Sequence, residues 1–73
     1  MRYHSWLAPL SSTLEDGRGW GYRREFWIKK CCGYEAFQRF ASANGYRVIQ
    51  SESGLIYVFN INRADVRRTF GIT

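Results

Sequence analysis

The stretch YRVIQSESGLIYVFNI, residues 46–61, constrains the fold more than any other part of the chain. Two runs rich in β-branched and aromatic residues, 46–50 and 55–61, flank SESG, which reads as a hairpin loop. Alternation puts Leu55, Tyr57, Phe59 and Ile61 on one face of the second strand, and Ile56 and Val58 on the other. A strand apolar on both faces is central in its sheet, or offers its edge to a partner. A hairpin alone is marginal in water, so other elements have to cover it.

GYEAFQRFASANG, residues 33–45, supplies one of them. Ala36, Phe37, Phe40 and Ala41 form a single apolar stripe at helical spacing. Glu35 sits near the favourable N-terminal end of the dipole, and Gly45 after Asn44 is a natural stop. The segment YRREFWIKKC, residues 22–31, is aromatic-rich and free of Gly and Pro, and predicts a strand. In that strand Phe26 and Ile28 share a side, with Trp27, Glu25 and Lys29 opposite. The tail NRADVRRTFGIT opens with Asn62 as a helix N-cap and Asp65 three residues on. A short helix would dock Val66 and Phe70 on the sheet, and Gly71 would end it.

Residues 1–21 carry the only proline, Pro9, a polar SST and three of the seven glycines. They predict an irregular, partly flexible segment in which Trp6, Leu7, Leu10 and Leu14 could pin parts to a core. Residues 22–73 then form one small α+β domain: strand, helix, hairpin and short C-terminal helix around a small antiparallel sheet. At 73 residues the chain is near the lower limit for folding alone. An aromatic content of 18% offsets that handicap, because each buried ring removes a large apolar area from water.

The formal charge is +5, from eleven Lys/Arg against six Asp/Glu, and the basic residues are spread along the chain. This favours an acidic partner, whether RNA, DNA or an acidic protein surface. On a strand over 22–31, Arg23 and Lys29 share one face and Arg24 and Lys30 the other, so no single basic platform forms there. Arg63, Arg67 and Arg68 read as a solvated helix face. Cys31 and Cys32 are adjacent, and with one histidine, His4, no zinc site can be assembled from Cys and His alone. They read as reduced, half-buried thiols. The opening MRYHSWLAPLSS has apolar runs too short for a signal peptide or membrane span, so a cytoplasmic location is expected.

Candidates for catalysis are few. The six acids are scattered, and nothing local would orient His4 towards Cys32. The chain reads as no enzyme, with no metal and no cofactor. GRGWGYRR, residues 17–24, lacks the strand, helix and Gly-Lys-Ser/Thr that a phosphate-binding loop needs. It reads either as a flexible loop leading into a strand or as a mobile basic arm. In the second reading Arg18, Trp20, Tyr22, Arg23 and Arg24 are the partner-binding residues. Tyr57 and Phe59 stand two apart, as base stacking on a sheet would need. The chain is nevertheless short for an RNA-recognition motif and lacks its glycine-containing signature, so both rings read as core.

In length and character the chain resembles the small RNA-polymerase-binding transcription regulators of lytic Xanthomonas phages. The start MRYHSWLAPL, the basic-aromatic YRREFWIKKCCGYEAF and the end RADVRRTFGIT carry that resemblance. It implies a role and no site residues. The role is binding of host bacterial RNA polymerase around the β′ N-terminal region and the β flap, near the RNA exit channel. Initiation is then inhibited by interference with σ-factor engagement, and the protein acts as an antiterminator. A monomer in the cytoplasm of an infected cell, without membrane contact, is the implied setting. The residues leave a second reading open, a small basic RNA- or DNA-binding protein, with nascent RNA among the candidate contacts.

Overall fold

The computed structural model describes residues 3–71, with side chains from residue 7 onward. Its elements are α1 (Tyr3–Glu15), β1 (Trp20–Arg24), α2 (Glu25–Cys31), α3 (Tyr34–Ala43), β2 (Arg47–Gln50), β3 (Leu55–Phe59) and α4 (Ala64–Phe70). The class is the α+β arrangement expected from the sequence, an antiparallel three-stranded sheet with helices. β3 lies in the middle of the order β1-β3-β2, as its two apolar faces require. Both of its edges are therefore taken, and it cannot receive a peptide by edge addition.

Register assigns the two faces. Gly21 opposes Val58 and Arg23 opposes Ile56 on β1, while Val48 opposes Val58 on β2. These positions share the inner face, where Ile56 and Val58 are fully buried. Helices α1, α2 and α3 cover that face through Leu7, Leu10 and Leu14, through Ile28, and through Phe37 and Ala41, with Tyr46 completing the cluster. Each of the buried leucine, isoleucine and phenylalanine side chains contributes roughly 1.5–3 kcal/mol.

α1 takes the place of the irregular stretch expected over 1–21. Leu7, Leu10 and Leu14 recur at helical spacing and are at most 2% exposed, and this stripe outweighs the helix-breaking tendency of Pro9. The role suggested for Trp6 lies outside the described side chains. α1 can lie close on β1 because Gly21 has no side chain; a Cβ there would stand 2.7 Å from Leu10 Cδ1. The end of α1 is tied to the far end of β3. Asn60, 1% exposed, donates from Nδ2 to the Leu14 carbonyl at 2.9 Å and accepts from the Asn62 amide at 3.1 Å. Arg63 reaches the same helix end, donating from Nη1 to the Gly17 carbonyl at 2.6 Å. That places a cation at the negative end of the helix dipole.

The strand expected over 22–31 ends at Arg24, and α2 follows at once. The Glu25 amide donates to the Gly54 carbonyl at 2.9 Å, and Glu25 pairs with Lys29 one turn on at 3.1 Å. The helix turns Ile28 inward and leaves Phe26 out, so the two do not share a side as the strand reading had them. The face assignments for Lys29 and Lys30 fall with that strand. α3 and the hairpin stand within a residue or two of where the sequence places them. Asn62 does not cap α4; it serves Asn60 and Asn44, and Asp65 Oδ1 instead accepts from the Val66 amide at 2.9 Å. Gly71, in the left-handed conformation, ends α4 as expected.

Two predictions follow from this packing. Gly19 has φ +89° and a Cβ there would meet Val66 Cγ2 at 2.3 Å, whereas Gly54 has φ +86° and open space. Gly54→Ala should cost about 1 kcal/mol from backbone strain alone, and Gly19→Ala at least about 2 kcal/mol more, read from urea unfolding midpoints. Burial, aided by the hydrogen bond its hydroxyl donates to Glu15, pushes the Tyr46 phenol up to about 12. The folded state thus holds this proton more tightly than the unfolded chain, so its contribution is complete below about pH 10 and is lost as pH rises towards 12. Melting temperatures taken from pH 8 to 12 should fall more steeply for the wild type than for Tyr46→Phe.

Candidate docking surface on the outer sheet face

The outer face of the sheet follows from the same register. Trp20 opposes Phe59, Tyr22 opposes Tyr57 and Arg24 opposes Leu55, and on the other side Arg47 opposes Phe59 and Ile49 opposes Tyr57. Among the described residues, no helix layer covers these positions as α1–α3 cover the inner face. Tyr22 is 46% exposed and Ile49 47%, while Tyr57 and Phe59 are half-buried by each other and their neighbours.

The rings form one connected set. Trp20 and Phe59 lie nearly parallel with centroids 6.4 Å apart, and Tyr57 and Phe59 likewise at 6.5 Å. Tyr22 leans on Tyr57 at 5.8 Å. Phe70, from α4, closes the end of the row edge-on against Phe59 at 4.8 Å and Trp20 at 6.0 Å. Each ring is thereby held in place by the next, which fixes the face without a covering layer.

Arginines border the row. The Arg18 guanidinium lies 3.9 Å from the Trp20 ring centroid, and its Nε donates to the Trp20 carbonyl at 2.9 Å. Arg24 and Arg47 stand at diagonally opposed corners, on β1 and β2. None of the eight strand positions on this face is acidic. The face therefore offers flat apolar surfaces within a positive border.

Of the five residues singled out in GRGWGYRR, the structure gathers Arg18, Trp20, Tyr22 and Arg24 on or beside this face. Arg23 is the exception. It points to the inner side, half-buried, donating from Nη1 to the Tyr22 carbonyl at 2.7 Å, and burial lowers its pKa. The stretch is a turn and a paired strand, with the Gly19 amide donating to Thr13 and the Gly19 carbonyl accepting from Asn60. Tyr57 and Phe59, expected in the core, face outward instead, because the parity of β3 gives the core to Ile56 and Val58. Phe70 docks on the sheet from α4 as expected, and Arg47 joins the face through β2 and carried no signal of its own in the sequence.

At one corner the surface turns onto α2. Phe26 and Trp27 are 58% and 52% exposed and pack edge-on at 5.2 Å. Lys30 Nζ lies 5.1 Å from the Phe26 ring. Phe26 also lines an open groove with Arg24, Lys29 and Leu55, which joins this corner to the outer face.

Among the described residues, no group of three His, Cys, Asp or Glu stands close enough to hold a metal ion. The pairing of Cys32 with His4 lies outside the described side chains. Both thiols are free, and burial, with lesser help from Cys31, pushes Cys32 up to about 11. No helix among the described residues is long and apolar enough to cross a membrane. No protein family, curated protein or solved structure is similar to the chain at a significant level.

The raised Cys32 thiol makes a direct prediction. In a Cys31→Ser variant at pH 8, iodoacetamide should modify Cys32 at least about tenfold more slowly than free cysteine, since the thiolate is the nucleophile. A rate equal to free cysteine would contradict the burial assigned to it.

Proposed function

We propose that this chain is a non-catalytic regulator of host transcription that docks on bacterial RNA polymerase. The docking site lies around the β′ N-terminal region and the β flap. Bound there, the protein interferes with σ-factor engagement at initiation and acts as an antiterminator afterwards. The specific target comes from the resemblance in length and basic-aromatic character described above.

The observation that carries a protein-binding role is the exposed Phe26–Trp27 pair. Two adjacent aromatic residues, each more than half exposed on a seven-residue helix, belong to no part of the buried core. Aromatic anchors in a charged rim are the chemistry of interface hot spots. Lys30, over the Phe26 ring, and the nearby Arg24 supply a positive rim, which speeds encounter with an acidic protein surface.

The test is titration against bacterial polymerase core enzyme at moderate and high salt, with competitor RNA present. Binding should survive both, because a hydrophobic centre loses little to screening. Trp27→Ala should weaken it at least about tenfold while leaving the melting temperature of the free protein unchanged. Failure to bind the core enzyme under any of these conditions removes the polymerase reading.

A further inference from the structure

The outer sheet face is well suited to a strand of unpaired bases. We propose that it binds single-stranded RNA, the bases stacking on Tyr22, Tyr57, Phe59 and Trp20 and the phosphates running along Arg18, Arg24 and Arg47. This assigns to the sheet a contact separate from the α2 corner. It rests on the regulator reading only for the source of the strand, a transcript emerging beside the docked protein.

Three observations carry it. Tyr57 and Phe59 stand at alternate positions of a central strand, nearly parallel and 6.5 Å apart, with Trp20 continuing the set across β1 at 6.4 Å. Rings at this repeat match the spacing of bases in an extended strand, Arg18 lies on one face of Trp20 where a phosphate or base can meet it, and every base has a π-face, so the contact tolerates any sequence. The charge is complementary: arginines lie at two corners and over Trp20, and no acid interrupts the strand positions. The third observation is the continuity of the row. The rings lean on one another from Tyr22 through Tyr57 and Phe59 to Trp20, as a strand of successive bases needs, whereas interface hot spots anchor in separate well-packed pockets.

The rings are also ordered before anything binds. Phe70 wedges Phe59 and Trp20 from α4, so little side-chain freedom is lost on stacking. Such a surface spans two or three bases. Its affinity is accordingly modest for the free protein and rises when polymerase holds the transcript nearby, through effective concentration.

The experiment titrates the full chain into a fluorescein-labelled twelve-nucleotide oligouridine, read by anisotropy between 50 and 200 mM salt, without polymerase. Saturable binding is expected, weaker by about tenfold in Tyr57→Leu and again in Tyr22→Leu, both of which keep apolar packing and remove a ring face. Arg24→Gln and Arg47→Gln should each reduce the slope of log affinity against log salt by about 0.7. Duplex RNA should compete poorly, since its bases are already stacked. Melting curves of each variant separate lost contact from lost fold; if Tyr57→Leu does not fold, the exposed Tyr22→Leu decides alone.

No binding at protein concentrations up to about 100 μM overturns the proposal. So does salt-sensitive binding that ignores both ring substitutions or takes duplex RNA equally well, because that would be charge alone. Loss of polymerase binding in Tyr57→Leu without any oligouridine binding would make the face a protein interface and overturn the proposal, leaving the polymerase reading intact. Oligouridine binding without polymerase binding would do the reverse.

Discussion

The fold depends on a buried amide at the point where three segments meet. Asn60 follows β3 directly, and its side chain reaches back to the last turn of α1. Its own amide donates to Gly19 at the start of β1, so one residue joins the first helix, the first strand and the last. A polar group this deeply buried is tolerable only when its hydrogen bonds are made, and here they are. Arg63 supports the same junction with its guanidinium at the α1 carbonyls, while Asp65 holds that guanidinium in a two-pronged pair at 3.1 and 2.7 Å. The pair raises the Arg63 pKa and lowers that of Asp65 through the hydrogen bonds between them. With the N-terminal helix fixed in this way, its three leucines can close the core of a chain too short to supply a second layer.

That missing layer explains the other half of the molecule. β3 is apolar on both faces, but three helices gather on one of them and the short α4 touches only the end of the other. Most small sheets resolve this by making the solvent side polar. Here the solvent side is aromatic, and its stability comes from rings packing on rings within the plane of the sheet. The arrangement leaves more apolar surface in water than folding alone would call for, and exposed apolar surface of that kind is a common mark of a binding site.

How much of this could be read from residues alone differs from element to element. The hairpin was legible because two runs rich in β-branched and aromatic residues flank a polar loop, and α3 because its stripe is unbroken and ends at Asn44–Gly45. α1 was hidden by Pro9 and SST, which count against a helix locally, whereas the leucine stripe acts through the tertiary core. α2 was hidden because Phe26 and Trp27 look like strand residues; the Glu25–Lys29 spacing was the local sign of a helix. Four of the five residues singled out in GRGWGYRR do come together, since they sit on or beside one strand. The rest of the face was not legible. Tyr57 and Phe59 differ from Ile56 and Val58 only by parity, and which parity faces the helices is settled by Gly21, where α1 needs a position without a side chain. Phe70 and Arg47 come from elements that the sequence already places beside β3, but the face they join depends on that same parity.

The two outer strands also bear on how the protein behaves in the company of its own copies. β1 and β2 each have one edge with no neighbouring strand, and such edges invite another chain to add to the sheet. Arg23 and Arg24 lie on the first and Arg47 on the second, so two copies approaching edge to edge would bring like charges together. Arg24 and Arg47, which also border the aromatic row, and Arg23 on the inner side thus keep an exposed, ring-covered sheet from growing into a larger one. A protein of this size can leave so much apolar surface uncovered only if something guards its edges, and here charge does so.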